Sequence, residues 1–243
     1  MEQFNTLETA IKESRNIVFF GGAGVSTESG IPDFRSANGI FMQETDNEHS
    51  PEEIISIDFF KQFPKQYFDF HFNKLVYPDA KPNIAHHFIT QLEKIGKNVT
   101  VVTQNIDGLH QLAGNSNVLE LHGNVQTNYC THCRKVYMLE ELKRDEVGIP
   151  RCPIDNHIVR PDIVMYGEAL NQTVITEAIK AIQNADLMII AGTSLAVYPA
   201  STFVDFFNGR TLSVINKTPI RTIRNDALIF EDTIGNILKS IKL

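Results

Sequence analysis

Residues 16–26 read NIVFFGGAGVS, an apolar run followed at once by a glycine-rich turn. The run at 16–20 predicts a buried parallel strand, because it is continuous, β-branched and aromatic. Gly22 and Gly24 suit a turn in which backbone N–H groups approach a pyrophosphate at a helix N-terminus. Thr27 stands where the third glycine of a dehydrogenase fingerprint would be, so an ordinary dehydrogenase is disfavoured. We therefore predict a dinucleotide site here, with a ligand-free tight turn as the alternative.

The rest of the chain repeats this strand pattern. Similar apolar runs occur at 99–103, 187–191, 212–215 and 228–230. Amphipathic helices are predicted between several of them, at 84–95 and 174–182, and a capping-box pattern of Asn5 and Glu8 predicts a first helix starting there. This alternation is typical of an α/β fold with a Rossmann-like doubly wound parallel sheet.

Two segments do not follow the alternation and are interpreted as insertions that form a smaller domain. Residues 36–80 are rich in phenylalanine and predict a helical insertion, whereas residues 124–160 hold all three cysteines. The larger, Rossmann-like domain would then comprise about 1–35, 81–123 and 161–243. We expect these segments to form one unit over residues 1–243.

Charge and composition exclude several classes of function. The 243 residues carry a formal net charge of −7 at a sequence pI of about 5.6, so no overall basic field would attract nucleic acid or an anionic membrane. No apolar run approaches the roughly 20 residues that span a bilayer, and the acidic start is unlike a secretory signal. We expect a cytoplasmic protein. The clustered cysteines favour metal or redox chemistry over a disulfide framework.

Six further motifs resemble the sirtuin family of NAD-dependent protein deacylases, in the family's order and over nearly the whole chain. They are SGIPDFRS at 29–36, TQNIDGLH at 103–110, LHGN at 121–124, RPDIVMYGE at 160–168, GTSL at 192–195 and IN at 215–216. The pattern is most similar to bacterial members. The resemblance implies cleavage of NAD to nicotinamide, with transfer of the acyl group of an acyl-lysine protein or peptide to ADP-ribose. An ADP-ribosyltransferase and a non-catalytic NAD-binding module are the alternatives.

The catalytic residues implied by the resemblance are His122, Asn105 and Asp107. His122 lies in the family's Leu-His-Gly motif, and an imidazole that titrates near neutral pH suits a general base for a ribose hydroxyl. Asn105 and Asp107 follow the strand at 99–103 and are expected at the nicotinamide end of NAD. Asp107 taken alone would more readily be interpreted as a turn or capping residue.

Binding residues are implied in the same way. The residues expected around NAD are Gly22, Ala23, Gly24, Thr27, Phe34, Arg35, Gln104, Asn105, Ile106, Asp107, His122, Gly192, Thr193, Ser194 and Asn216. Those expected to pair with an extended substrate peptide are Val164, Met165 and Tyr166.

The acyl group is expected to be uncharged, acetyl first. Relatives that prefer succinyl or malonyl groups carry a Tyr-x-x-Arg pair, but here Tyr67 is followed at that spacing by Phe70. A carboxylate buried without a cation would be costly.

The cysteine module departs from the family pattern of two C-x-x-C pairs. Cys130 and Cys133 form the first pair, but Cys152 is followed at the matching position by Asp155. Because zinc also accepts carboxylate and imidazole ligands, Asp155 or His157 would complete a structural zinc site. A metal-free module is the alternative, and a redox pair is disfavoured because it does not open a helix after a strand.

Overall fold

The computed structural model describes residues 2–36, 39–42, 49–220 and 224–243. The strands are β1 Asn16–Gly21, β2 Asn98–Thr103, β3 Val118–Glu120, β4 Gly123–Cys130, β5 Val136–Met138, β6 Val159–Ile163, β7 Leu187–Ala191, β8 Thr211–Ile215 and β9 Leu228–Phe230. The α-helices are α1 Glu2–Glu13, α2 Pro51–Ile54, α3 Ile57–Gln62, α4 Pro64–Phe70, α5 Ile84–Lys94, α6 Leu109–Leu112, α7 Gln172–Gln183 and α8 Ile234–Lys239.

Six of the strands form one parallel sheet in the order β3-β2-β1-β7-β8-β9. If only these six strands are numbered, in chain order, the sheet order is 3-2-1-4-5-6, which is that of a Rossmann fold. Its switch point lies between β1 and β7. The fold class is therefore confirmed. The crevice outside the carboxyl ends of β1 and β7 is where such a sheet binds ligands.

Helices cover both faces of this sheet, because alternate residues of its strands point to opposite sides. On one face Phe19 and Ile189 pack in a cluster with α1, α5 and α8. On the other face Phe20 and Ile190 pack with α7 and with the 3-10 turn Ala200–Phe206. Buried aliphatic and aromatic side chains on both faces fix the strand ends that carry the site.

The smaller part of the molecule contains the antiparallel sheet β5-β4-β6 and the helices α2 to α4. A third apolar cluster, rich in phenylalanine, joins the two through Val125 of β4 and Ile163 of β6. The division into two domains stays a prediction, and its boundary at residue 160 falls inside β6.

The sequence predicted the strands β1, β2, β7, β8 and β9 and the helices α5 and α7 to within two residues. Strands at 187–191 and 228–230 have the predicted bounds, and helix α5 ends one residue early. The expected start of the first helix at Asn5 was wrong, since α1 already includes Glu2. The ring of Phe4 packs against Phe230 with centroids 5.0 Å apart, which stabilises the extra turn. No helix of the described residues has the length and apolar character needed to cross a bilayer.

Candidate active site

One cavity of about 800 Å³ lies at the carboxyl ends of β1, β2, β7, β8 and β9. This volume is at the upper end of the roughly 300–1,000 Å³ typical of ligand clefts. The glycine loop after β1 forms one wall, and residues 104–106 after β2 form the next. Residues 192–194 and 216–218 continue the polar wall, while residues 163–170 close the opposite side. The loops singled out in the sequence therefore converge in space.

The glycine loop works differently from the expected phosphate cradle. Gly24 N–H donates to the carbonyl oxygen of Gly192 at 2.8 Å, and Gly22 N–H donates to that of Ala191 at 3.1 Å. A Cβ on Gly22 would lie 2.6 Å from Cβ of Thr193, and one on Gly24 would lie 2.7 Å from Cα of Gly192. These glycines thus allow two strand-end loops to approach each other, and their N–H groups are occupied.

The helix expected directly after this loop is also absent from the described residues. Two 3-10 turns follow instead, Ala23–Val25 and Thr27–Ser29. The prediction of a helix at this position was therefore wrong, whereas the pyrophosphate site beside the loop stays a prediction. Gly22 does not line the cavity, whereas Ala23, Gly24 and Thr27 do.

Asn105 and Asp107 are joined through a residue that the sequence argument missed. Ser26 donates from its hydroxyl to Oδ2 of Asp107 at 2.6 Å, and Asn105 donates from Nδ2 to Oγ of Ser26 at 3.0 Å. Asp107 also accepts from Leu109 N–H at 2.9 Å and so caps α6. Asn105 lines the cavity but Asp107 does not, so in this structure Asp107 lies behind the wall.

His122 lines the cavity between β3 and β4, with its Nδ1 held by the main chain. Nδ1 lies 2.9 Å from the carbonyl oxygen of Gln104, which can only accept, so Nδ1 carries the proton. Nε2 therefore keeps a free lone pair. Burial lowers the pKa of His122 from its ordinary value, although the hydrogen bond to Gln104 acts in the opposite direction. The imidazole is neutral at neutral pH, which is the form that a general base needs.

The polar half of the cavity contains unsatisfied hydrogen-bonding capacity. Thr193 donates from Oγ1 to Oε1 of Gln104 at 3.0 Å, which fixes the Gln104 amide. Its Nε2 is buried, and no described residue accepts from it. Asn216 donates from Nδ2 to the carbonyl oxygen of Thr218, in the same loop, at 2.8 Å. The Oδ1 of Asn216 is therefore left as an acceptor for a ligand. A polar ligand with donors and acceptors, such as a dinucleotide, fits this lining.

Several cavity residues were not predicted. They are Glu28, Asp33, Ser36, Val197, Tyr198, Lys217, Thr218, Asp232 and Ile234. Asp232 follows β9 by two residues, so the rule that selected the residues after β2 would also have found it. Lys217 follows β8 by two residues and brings a cation to the same end of the cavity.

The other half of the cavity is apolar. Its wall includes Phe34, Phe41, Ile55, Leu75, Ile106, Ile163, Val164 and Met165. Arg35 is exposed and lies between the two halves, with its guanidinium carbon 5.4 Å from the centroid of the Phe41 ring. Its Nη2 is 3.5 Å from the hydroxyl oxygen of Tyr166.

The predicted peptide-pairing segment uses most of its main-chain groups within the protein. Val164 N–H donates to the carbonyl oxygen of His122 at 2.9 Å. Tyr166 N–H donates to the carbonyl oxygen of Ile55 at 3.1 Å, and Ile57 N–H donates to the carbonyl oxygen of Tyr166 at 3.0 Å. Met165 N–H donates to Glu168 at 2.9 Å. Among the described residues none donates to the carbonyl oxygen of Val164, which is the group left for an extended ligand.

The cysteine module brings four ligand atoms together. The side-chain ligand atoms of Cys130, Cys133, Cys152 and Asp155 all lie within 4.8 Å of one another. The sulfurs of Cys133 and Cys152 are 3.7 Å apart, the edge expected for two thiolates each about 2.3 Å from a tetrahedral zinc. His157 is not in this group, and its ring stacks on that of His132 with centroids 4.3 Å apart. Of the two fourth ligands considered, the geometry selects Asp155.

Comparisons with known proteins agree with this arrangement. The Sir2 family model matches residues 22–199. An NAD-dependent protein deacetylase of Clostridium perfringens (strain 13 / Type A) is 48% identical over 241 residues, covering 99% of this chain and 98% of the relative. The corresponding deacetylase of Clostridium tetani (strain Massachusetts / E88) is 46% identical, with the same two shares covered.

Solved structures are similar over the same length. A structure of Sir2 with a p53 peptide and NAD+ has a TM-score of 0.83 and 36% identity, and covers 97% of this chain and 95% of that chain. A structure of Sir2Tm bound to a propionylated peptide has a TM-score of 0.83 and 36% identity, with 98% and 96% covered.

Proposed function

The chain belongs to the Sir2 family, and we propose that it is an NAD-dependent protein-lysine deacetylase. One observation carries the proposal: a neutral, main-chain-anchored His122 lines the same cavity as the polar wall at Gln104 and Thr193 and the apolar wall at Ile106 and Met165. A dinucleotide and an uncharged acyl-lysine need those two kinds of wall, and the reaction between them needs a base where the walls meet.

NAD supplies, when bound, the ribose that accepts the acyl group after nicotinamide has left. Gln104 Nε2 and the Ser194 hydroxyl offer hydrogen bonds to its ribose and phosphate oxygens. Lys217 adds a cation toward the phosphate charge. Asn105, held by Ser26, presents the remaining hydrogen-bonding capacity of its amide toward the nicotinamide end. Asp107 acts indirectly, since it accepts the hydrogen bond of the Ser26 hydroxyl, which in turn positions Asn105.

His122 acts as the base for a ribose hydroxyl. Its Nδ1 keeps its proton, hydrogen-bonded to the carbonyl oxygen of Gln104, so the proton taken from the sugar is received at Nε2. The imidazolium formed in this way keeps that hydrogen bond to Gln104, which stabilises its positive charge in a largely buried position. General-base catalysis of this kind contributes about 10²–10⁴-fold in rate.

The acyl-lysine occupies the apolar half of the cavity. A four-carbon stem and a neutral acyl amide gain most from burial against Phe34, Ile106 and Met165. The carbonyl oxygen of Val164 is available to one N–H of the peptide main chain. Arg160, which lies close in sequence to Ile163 and Met165 of this wall, is already paired with Glu168 at 2.7 Å, so its guanidinium is not available to an acidic acyl group.

The cysteine module holds a structural zinc ion. Three thiolates and one carboxylate match the ligand types and the tetrahedral edges that zinc prefers. The Tyr137 hydroxyl lies 3.2 Å from the sulfur of Cys152, and His132 N–H donates to the sulfur of Cys130 at 3.4 Å. Such hydrogen bonds orient metal ligands and reduce the charge that three thiolates place on the site.

Mass spectrometry of the products tests this function. The protein is incubated with NAD and an acetyl-lysine peptide, and nicotinamide, peptide mass and the acetylated nucleotide are followed together. Equal amounts of nicotinamide, deacetylated peptide and O-acetyl-ADP-ribose are expected. A peptide that retains an ADP-ribose adduct would indicate an ADP-ribosyltransferase instead, and NAD binding without any turnover would indicate a non-catalytic module.

A further inference from the structure

The loop that borders the cavity after β1 contains little regular structure of its own. It forms two short 3-10 turns, Ala23–Val25 and Thr27–Ser29, and residues of both turns line the cavity. Hydrogen bonds in 3-10 turns have poorer geometry than those of an α-helix, so such turns occur only in short pieces. The conformation of residues 23–29 therefore depends on contacts with other parts of the chain.

Asn83, which directly precedes helix α5, makes such a contact with both turns. Its Nδ2 donates to the carbonyl oxygen of Val25 at 2.8 Å and to the hydroxyl oxygen of Ser29 at 2.9 Å. Val25 ends the first turn and Ser29 ends the second. One amide group thus joins the ends of both turns, across 58 and 54 residues of chain.

The acceptor side of the same amide is bonded to helix α5. Oδ1 of Asn83 accepts from Ala85 N–H at 2.9 Å and so caps the helix. The helix is held on the sheet by Phe88 and Ile89, which are buried in the apolar cluster of that face. Because its oxygen is bonded to a packed helix, the amide has a fixed orientation, with its two N–H groups directed at the loop.

Other hydrogen bonds from outside the loop hold it at single points. Glu28 of the second turn accepts from Gly235 N–H at 3.1 Å. Ser26, between the turns, donates to Asp107 at 2.6 Å. Asn83 differs from these residues because it bonds to both turns, and it does not itself line the cavity. Loss of its N–H groups would therefore loosen both turns without removing any residue of the cavity wall.

We propose that Asn83 is a positioning residue for NAD, whose N–H groups hold the two turns in the arrangement in which their residues face the dinucleotide. The proposal rests on the NAD-dependent function argued above and deepens it, because it names a residue outside the cavity that sets the affinity for the cofactor. Asn83 acts through the loop and makes no contact with NAD. When its hydrogen bonds are lost, a smaller fraction of molecules has the binding-competent loop, and the apparent affinity falls by that fraction.

Calorimetric titration with NAD, in the absence of peptide, tests the proposal without turnover. Asn83→Ser keeps a helix cap, because serine is about as favourable as asparagine at that position, but its side chain is shorter and cannot bond to both turns. We expect the Kd for NAD to rise by about fivefold to thirtyfold, as the loss of two hydrogen bonds implies. The KM for an acetyl-lysine peptide at saturating NAD should stay that of the wild type. An unchanged Kd for NAD would overturn the proposal.

Two further variants separate the donor role from the helix cap. Asn83→Ala removes the N–H groups and the capping oxygen together, so its Kd for NAD should match that of Asn83→Ser although it unfolds at a lower urea concentration. A Kd that rises only in Asn83→Ala would assign the effect to the cap and overturn the proposal. Asn98→Ser is the matched control, because Nδ2 of Asn98 donates to Asn16 at 2.9 Å at the amino ends of β1 and β2. Its Kd should equal that of the wild type, and a rise as large as in Asn83→Ser would also reject the role of Asn83.

Hydrogen exchange of the ligand-free protein gives a readout that does not involve NAD. The amides of Val25, Ser29 and Gly30 are bonded within the loop, and they should exchange faster in Asn83→Ser than in the wild type. The amides of helix α5 should stay protected, since serine keeps its cap. Unchanged exchange of the loop would show that Asn83 does not hold it. Faster exchange with an unchanged Kd for NAD would reject the positioning role alone, whereas a wild type that binds no NAD would overturn the proposed function as well.

Discussion

Nδ1 of His122 lies 2.9 Å from the carbonyl oxygen of Gln104, while the side chain of Gln104 accepts a hydrogen bond from Thr193 at 3.0 Å. One residue therefore fixes the tautomer of the base through its main chain and contacts the cofactor wall through its amide. The base and the wall that is expected to bind NAD are linked through Gln104. This coupling places the reactive Nε2 in a fixed relation to the polar half of the cavity.

Replacing His122 should separate binding from chemistry. His122→Ala is expected to lower kcat by about 10²–10⁴-fold, because no other described group replaces Nε2 as the base. The Kd for NAD should change little, since most of the polar wall is untouched. His87→Ala is the matched control, because His87 is an exposed histidine on α5. Wild-type kcat in His122→Ala would remove His122 from the mechanism.

The pH profile should reflect the buried imidazole. Burial lowers the pKa of His122 below its ordinary 6.5, and only the unprotonated ring acts as a base. Activity is therefore retained from neutral pH down to 6.5 and is lost as the pH falls through the lowered pKa. The acid limb of kcat/KM for the acetyl-lysine peptide should have its midpoint below 6.5. A midpoint at or above 6.5 would contradict the assignment of this limb to His122.

Much of the fold follows from local sequence signals. The strands at 187–191 and 228–230 are short apolar runs bounded by turn residues, so their bounds could be read from the chain. Their order in the sheet depends on long-range packing, which no single segment encodes. The short edge strand β3 was missed, because its three residues are only half-buried and carry no strong apolar signal.

The sequence predicted which residues belong to the site better than it predicted the hydrogen bonds that they make. Sequence motifs identified Asn105 and Asp107, but the hydroxyl of Ser26 that joins them was not singled out. Gly22 and Gly24 were expected to expose N–H groups to a ligand, yet these groups bond to the loop after β7. The partners of Ser26 lie 81 and 79 residues away in the chain, and those of the glycines lie at the end of β7 and directly after it, so spacing alone could not reveal them.

Asp155 should control the affinity for zinc. Asp155→Ala is expected to lower the zinc content measured by elemental analysis after brief dialysis against a chelator, because one of four ligands is lost. Asp155→Cys should slow zinc release to the chelator, since a thiolate replaces a carboxylate. His157→Ala is the control and should keep the wild-type zinc content. Full zinc retention by Asp155→Ala, or its loss from His157→Ala, would reject the assigned fourth ligand.

The ion pair between Arg160 and Glu168, next in sequence to the predicted peptide-pairing segment 164–166, should contribute to the stability of the fold. Arg160 is buried, and its guanidinium contacts both carboxylate oxygens of Glu168, at 2.7 and 2.8 Å. Glu168→Gln leaves a buried, unpaired cation and should lower the free energy of unfolding by about 3 kcal/mol. Asp69→Asn, which breaks an exposed pair with Lys65, should cost less than about 1 kcal/mol. Urea unfolding of the two variants measures the difference, and equal losses would contradict the burial argument.

Acyl selectivity should follow charge. Succinyl-lysine is expected to react with a kcat/KM at least about 100-fold below that of acetyl-lysine, because Phe70 stands where the Tyr-x-x-Arg pair would place its arginine and burial of the carboxylate in the apolar half would be costly. Competition between the two peptides in one reaction with NAD, followed by mass spectrometry, measures the ratio directly. Comparable turnover of both peptides would show that a cation reaches the acyl group.

A crystal structure of the protein with NAD and an acetyl-lysine peptide tests the central claim most directly. One NAD molecule should lie along the polar wall, with its nicotinamide-bearing ribose within hydrogen-bond distance of Nε2 of His122. The acetyl group should lie against the apolar wall at Ile106 and Met165. NAD bound outside this cavity, or with that ribose remote from His122 while the peptide is in place, would contradict the account.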